Sequence, residues 1–156
     1  MNLLNIRLWA LLFVFIPKNM QAQSQHDRLL FHYLKLSTAL SRSDFAKAEK
    51  QAGQLAEQCR ATGVSGLISS ADNLDKAAAL PELRIAFSPF SDSLSAAIRS
   101  GKIAAAEPLY LIHCPMAFND QGADWISDEA KVLNPYFGDE MLHCGKVKST
   151  FNPGKK

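Results

Sequence analysis

The chain has few metal-binding side chains, with 3 cysteines and 4 histidines among 156 residues. It also lacks a Gly-rich phosphate loop, a Gly-x-Ser-x-Gly elbow and a His-Glu-x-x-His motif. Those motifs indicate nucleotide binding, serine hydrolysis and zinc proteolysis respectively. We therefore predict that the protein is not an enzyme.

The N-terminus has the layout of a secretory signal peptide. Arg7 supplies a positive charge, Leu8 to Ile16 form an uninterrupted apolar run, and Pro17 breaks that run shortly before Ala22. The run is too short to span a bilayer, which needs about 20 apolar residues. We predict a signal peptide at residues 1–22 with cleavage after Ala22. The mature protein is then expected to be periplasmic or secreted, without membrane association. An uncleaved membrane anchor is the alternative.

The predicted mature chain lacks net charge. The full sequence has 17 Lys and Arg against 15 Asp and Glu. Arg7 and Lys18 leave with the signal peptide, and no acidic residue does, so 15 of each sign remain. Because a neutral domain has no long-range attraction for nucleic acid or anionic lipid, neither is a predicted partner.

Residues 23–156 fit a single domain in length, without internal repeats or a Gly-, Ser- or Pro-rich linker. Apolar residues recur at spacings of three and four between His26 and Ser100, which predicts amphipathic helices. Asp44 is placed to cap one helix and Gly63 to end it, and Pro89 predicts a bend. The predicted fold is mainly α: an up-and-down bundle of three to four helices with an irregular C-terminal tail.

That tail, residues 108–150, carries aromatic residues, Gly, Pro and Asn without a helical period. Residues 109–112 and 146–151 predict a short antiparallel β-hairpin, and residues 139–144 a short helical turn. Large apolar groups in this tail have little helix to cover them, so we expect them to anchor it to the bundle. They are Trp125, Tyr136 and Phe137.

Two tetrapeptides in the tail combine thiol, thioether and imidazole groups: His-Cys-Pro-Met at 113–116 and Met-Leu-His-Cys at 141–144. These are the ligands that a soft ion such as Cu(I) prefers. Positions two apart in an extended segment share a face, as do positions three apart in a helix. The predicted metal ligands are therefore Cys114, Met116, Met141 and Cys144, with His113 and His143 as weaker candidates.

A structural disulfide is the competing interpretation. Secreted proteins commonly join two cysteines that flank a loop, so a Cys114–Cys144 bridge would fasten the tail. Met116 and Met141 would then be ordinary core residues. Cys59 lies in the apolar stripe of the second predicted helix and is expected to be a buried free thiol. Residue chemistry alone leaves the metal site and the disulfide both open.

Three stretches of the tail form recognisable motifs: Cys-Pro-Met-Ala at 114–117, Gly-Ala-Asp-Trp-Ile-Ser at 122–127 and Asn-Pro-Tyr-Phe-Gly-Asp-Glu-Met-Leu-His-Cys-Gly at 134–145. They resemble an uncharacterised bacterial periplasmic domain family. That family occurs alone after a signal peptide, or attached to adaptor subunits of copper/silver-type RND heavy-metal efflux systems. Arg-Ile-Ala-Phe at 84–87, followed by Ser91, is similar to its third-helix signature, and the resemblance runs from Leu29 to Thr150.

The resemblance implies heavy-metal handling outside the cytoplasm, with Cu(I) as the bound ion. The matched positions are Cys114, Met116, Met141 and Cys144, whereas His113 stands where the family more usually has Tyr. It also implies a periplasmic adaptor or efflux pump component as a partner. Nothing in the chain resembles the adaptor's own hairpin or barrel domains, so the expected role is that of an accessory protein. The alternative remains a non-catalytic structural or interaction module held by the Cys114–Cys144 disulfide.

Overall fold

The structure, a computed structural model, describes residues 18–153. Within that range the chain forms four long helices in succession, joined by short turns and each packed against the next. They are α1 (Lys18–Ser41), α2 (Phe45–Thr62), α3 (Ser65–Asp75) and α4 (Leu80–Arg99). The predicted mainly helical fold is confirmed.

The helix boundaries follow the capping residues that the sequence supplies. The Asp44 side chain accepts a hydrogen bond from the Lys47 backbone N–H at 3.1 Å and so begins α2. Gly63 ends α2 in the left-handed conformation that glycine tolerates. The apolar stripe of α2 is buried from Ala48 to Cys59, as its spacing predicts.

Three details differ from the sequence pattern. Helix α1 begins at Lys18, earlier than the apolar stripe that starts at Leu29. Helix α3 ends at Asp75, which leaves Ala78, the last residue of its predicted stripe, exposed. Helix α4 continues through Pro89 as a single helix.

The tail forms a three-stranded antiparallel sheet in the order β2-β1-β3, from β1 (Leu109–Cys114), β2 (Ala123–Ser127) and β3 (Lys146–Phe151). The predicted pairing of β1 with β3 is confirmed, with Leu109 opposite Phe151. Strand β2 is an addition, with Ala123 opposite Cys114 on the other side of β1. The predicted pair, β1 with β3, is therefore part of a three-stranded sheet.

Aromatic side chains join the sheet to the helices, as predicted. Trp125 on β2 is 1% exposed, and its ring meets that of Tyr136 edge to face at 5.8 Å between centroids. Tyr136 also contacts Phe87 of α4 at 6.0 Å, and Phe87 stacks on Tyr33 of α1 at 5.1 Å. Phe137 is half-buried against the same core. Buried apolar residues of the helices and the sheet thus form one cluster.

Part of the predicted signal peptide lies outside the described residues, including the apolar run Leu8 to Ile16. Residues 18–22, up to the predicted cleavage position at Ala22, are the first residues of α1. No helix among residues 18–153 is long and apolar enough to cross a membrane.

Candidate metal centre

The structure brings the two tail cysteines together. Cys114 is the last residue of β1 and is fully buried, whereas Cys144 is half-buried and ends a turn. Their sulfur atoms lie 2.9 Å apart, and both cysteines are free thiols. Thirty positions of chain separate them, so the contact is a product of the fold.

Strand pairing explains why these residues meet. His113 at the end of β1 lies opposite Lys146 at the start of β3, so the chain just beyond each strand end converges. Gly145 lies at this crossing point with a positive φ of 146°. A Cβ atom there would lie 2.9 Å from the Trp125 ring and 3.1 Å from the His113 carbonyl oxygen. The close approach of Cys144 to β1 therefore requires glycine at position 145.

Met116 reaches the pair from a turn. Its backbone is in the right-handed helical region (φ −89°, ψ −8°), so the prediction that residues 114–116 are extended is wrong. The strand ends at Cys114 because Pro115 and Met116 turn the chain toward β2. The Met116 backbone N–H lies near enough to the Cys144 thiol to lower its pKa in part, and the Met116 side chain is 46% exposed. The backbone of Met116 is thus adjacent to the thiol pair.

Met141 belongs to the same turn as Cys144. The predicted helical turn over residues 139–144 is wrong in extent, since only Gly138–Glu140 forms a short 3₁₀ helix. Met141 leaves that helix at φ −143°, ψ 56°, and its carbonyl accepts a hydrogen bond from the Cys144 N–H at 3.0 Å. The two residues therefore share a turn, and the Met141 side chain is half-buried.

Both histidines are engaged elsewhere through Nδ1. His113 donates from Nδ1 to the Asp124 carboxylate at 2.6 Å, on the opposite face of β1 from Cys114. His143 is exposed and donates from Nδ1 to the Val132 carbonyl oxygen at 2.9 Å. Neither ring is held toward the sulfur pair by these bonds.

The environment of Cys144 favours the protonated form of its thiol. The hydrogen bond with Cys114, followed by burial and the Cys114 charge, raises the pKa of Cys144 above its ordinary value. The N–H donated by Met116 lowers this pKa in part. Because the thiolate is the reactive form, a thiol with a raised pKa is a weak nucleophile.

Cys59 is fully buried in α2, as predicted, and burial raises its thiol pKa to about 12. It belongs to the core of the bundle.

The donor set limits which ions this centre suits. No group of three or more His, Cys, Asp or Glu side chains among residues 18–153 is arranged to hold a metal ion. A closed zinc site needs four such ligands. The thiols of Cys114 and Cys144 are two, and the further donors that the sequence predicts are the thioethers of Met116 and Met141, which suit Cu(I).

The 2.9 Å between the two sulfur atoms lies between the distance in a disulfide and the distance between two thiolates on one metal ion. A disulfide bond is about 2.05 Å long, whereas two metal–thiolate bonds of about 2.3 Å each hold their sulfurs further apart than 2.9 Å in any open geometry. Either state requires a shift on the order of 1 Å. Cys144 lies in a half-buried turn and is the residue placed to move.

Two residues that support this region, Asn134 and Arg84, lie within the motifs of the family resemblance, but the sequence assigned neither of them a role. Asn134 is fully buried and hydrogen-bonded to the turn that carries Cys144. Arg84 of α4 donates to the carbonyl oxygens of Leu40 and Pro135 and to the Ser43 hydroxyl, each at 3.1 Å. Asn134 precedes Pro135, and Asn before Pro is a signal for an Asn side chain that bonds its own backbone.

Residues 29–105 match a family model whose description is "Protein of unknown function (DUF3347)". The matched residues include helices α2, α3 and α4 and the part of α1 from Leu29 onward. The match ends before β1, so the sulfur-bearing tail lies beyond it. No curated protein and no solved structure matches the chain.

Proposed function

We propose that this protein is an extracytoplasmic binding protein for a soft metal ion, Cu(I), and an accessory in heavy-metal efflux or homeostasis. Cys114 and Cys144 act as thiolate ligands, and Met116 and Met141 supply thioether sulfur. The observation that carries the proposal is the 2.9 Å contact between two thiols that are thirty positions apart. Met116 lies in the turn that follows Cys114, and Met141 lies in the turn that ends at Cys144.

Accessibility supports reversible binding rather than a closed structural site. Cys114 is fully buried, so one ligand is held rigidly by the sheet. Cys144 is half-buried and Met116 is 46% exposed, so the other side of the pair faces solvent. An ion can enter and leave on that side without opening the core.

Location and partners are part of the same proposal. The N-terminal pattern of charge, apolar run and small residue supports export, and the tail motifs support association with a periplasmic adaptor or efflux pump component. Intact-mass measurement of exported protein is expected to show loss of residues 1–22. A mature protein that keeps Leu8 to Ile16 would indicate a membrane anchor.

The test of metal binding is competition for Cu(I) against a chromogenic chelator, with reduced protein. We expect about one ion per chain, with effective competition by Ag(I) and poor competition by Zn(II), which gains little from thioethers. Met116→Leu and Met141→Leu conserve volume and apolarity, so they report on the sulfur atom. Each is expected to weaken binding by about tenfold or more, since even outer-shell losses commonly have that effect.

Cys59→Ala is the matched control, because it removes a thiol that is buried in the bundle. It is expected to leave Cu(I) affinity unchanged. If reduced wild-type protein cannot take Cu(I) from a weak chelator, the metal proposal is wrong.

The same sulfur contact favours a second candidate, a structural module whose tail is fastened by a Cys114–Cys144 disulfide. A bridge across thirty positions would stabilise the fold by roughly 3–4 kcal/mol in the loop-entropy model. Protein isolated under oxidising conditions would then have one titratable thiol, Cys59, after unfolding. Cys114→Ser would lower the melting temperature, and both Met→Leu variants would behave as wild type.

A further inference from the structure

Asn134 is the one fully buried residue with an amide side chain among residues 18–153. A buried amide is costly unless its donor and acceptor are both paired. Its oxygen accepts from the Tyr136 backbone N–H at 2.8 Å and from that of Phe137 at 3.3 Å. Its nitrogen donates to the Cys144 carbonyl oxygen at 2.7 Å. The side chain therefore links the turn after Pro135 to the turn that ends at Cys144.

Backbone hydrogen bonds reinforce the same link. The Asn134 N–H donates to the Leu142 carbonyl oxygen at 2.7 Å, and the Gly138 N–H donates to the Asn134 carbonyl oxygen at 3.1 Å. The turn over residues 141–144 is thus fastened at two of its positions to Asn134. Tyr136 fixes the other end of the segment, because its ring packs on Trp125 and Phe87.

The two thiols are held in different ways. Cys114 is fixed by strand pairing within the sheet, opposite Ala123. Cys144 lies outside any helix or strand, and its backbone is fastened by the Met141 carbonyl and the Asn134 amide. The distance between the sulfurs therefore depends on where Asn134 holds the Cys144 backbone.

We infer that Asn134 is the positioning residue of the sulfur centre: its amide N–H holds Cys144 in reach of Cys114. This inference rests on the proposed function for its consequence in metal binding. Its consequence for pairing of the two thiols is independent of any metal.

Asn134→Asp tests the inference most directly. The carboxylate keeps an oxygen that can accept from Tyr136 and Phe137, but it has no hydrogen to donate and sets a negative charge against the Cys144 carbonyl. Asn134→Ser is the milder second variant, because a serine hydroxyl can still accept in a turn of the same kind. It is too short to reach Cys144, and it adds no charge.

The first measurement is the equilibrium between the dithiol and the disulfide in a glutathione buffer. One glutathione disulfide oxidises Cys114 and Cys144, one S–S bond forms between them, and two glutathione thiols are released. We expect the equilibrium constant for this oxidation to fall about tenfold in both variants, since effective concentration depends on holding the thiols together. The second measurement is Cu(I) affinity by chelator competition, which is expected to fall about 10- to 100-fold.

Tyr136→Phe is the matched control. It removes the hydrogen bond from the Tyr136 hydroxyl to the Asp124 carbonyl, in the same segment, and leaves both Asn134 bonds to the Cys144 turn in place. It is expected to lower stability while it changes neither measurement by more than about twofold.

The outcomes separate the two hypotheses. If wild-type protein fails to bind Cu(I) while the Asn134 variants lose thiol pairing, the positioning role stands and the proposed function is wrong. If wild-type protein binds Cu(I) and both folded Asn134 variants match Tyr136→Phe in both measurements, the positioning role is wrong and the proposed function stands.

Discussion

The Tyr33 hydroxyl oxygen accepts a hydrogen bond from the Ile126 backbone N–H at 3.0 Å, across 93 positions of sequence. Ile126 lies on β2, which is an edge strand of the sheet, so within residues 18–153 its outward N–H has no neighbouring strand to pair with. The same hydroxyl shares a hydrogen bond of 2.8 Å with Ser91 of α4. A single fully buried side chain therefore joins two helices to the sheet.

Tyr33→Phe is expected to destabilise the protein by about 1–3 kcal/mol, because it leaves a buried N–H without an acceptor. Urea unfolding followed by circular dichroism measures this loss. Tyr110→Phe removes the same atom from a half-buried position and is expected to change the free energy of unfolding by less than about half a kcal/mol. Equal losses in the two variants would contradict the role assigned to Tyr33.

Leu55→Ala and Leu94→Ala each remove a fully buried side chain from the helical core. Each is expected to lower the free energy of unfolding by roughly 2–5 kcal/mol, from lost burial and the cavity that remains. Ile85→Ala on α4, at a position 62% exposed, is the control and is expected to stay within about half a kcal/mol of wild type. A Leu94→Ala loss as small as that of Ile85→Ala would show that α4 is packed differently.

Gly138→Ala tests the packing beneath the tail. Gly138 has a φ of +58°, and a Cβ atom there would collide with the Arg84 guanidinium and the Ser43 hydroxyl. Displacement of Arg84 from its three acceptors and the strained backbone are together expected to cost about 1–3 kcal/mol. Gly66→Ala in α3, with nothing within 4 Å of the added methyl, is expected to raise stability by up to about 1 kcal/mol.

The buried thiol of Cys59 is expected to make the stability of the protein depend on pH in the alkaline range. Burial raises the pKa of its thiol from 9.0 to about 12, so the folded protein keeps the proton that the unfolded chain loses. The resulting stabilisation is complete below the unfolded pKa and is lost as the pH rises from about 9 toward 12. Urea unfolding between about pH 8 and about pH 10 is expected to show wild type losing stability relative to Cys59→Ala, by at most about 1.4 kcal/mol per pH unit. A constant difference between them would contradict the raised pKa.

The helices were predictable because their signals are local. Spacings of three and four placed the buried face of α2, and Asp44 and Gly63 marked its two ends. The pairing of β1 with β3 was also found, although the two strands are far apart in sequence.

Strand β2 was missed because it lacks the alternation that marks a half-exposed strand. Trp125 and Ile126 are adjacent and both buried. Trp125 packs on Tyr136 of the tail, whereas the Ile126 backbone bonds to Tyr33 of α1, so protein covers the strand on two sides. Two adjacent buried residues therefore hide the alternation of apolar and polar residues by which a half-exposed strand is recognised.

The sequence singled out the two cysteines that meet in the fold, but not the geometry around them. Cys114 and Cys144 were identified from ligand chemistry, and the fold brings them into contact. The expected extended and helical segments are turns, because bonds from Asn134 to Leu142 and Cys144 set the backbone there. Such contacts depend on a buried residue eight to ten positions away, which no local period encodes.

The attachment of the sheet to the helices has a consequence for how the chain acquires its structure. The family model matches residues 29–105 and ends before the sheet. The surroundings of Tyr33 and Phe87 are completed later in the sequence, by the Ile126 backbone of β2 and by the Tyr136 ring. During synthesis these helices emerge first, with those ring faces still uncovered. The last third of the sequence must arrive before the core can close. The folding unit is therefore expected to include the tail as well as the helices that the family model matches.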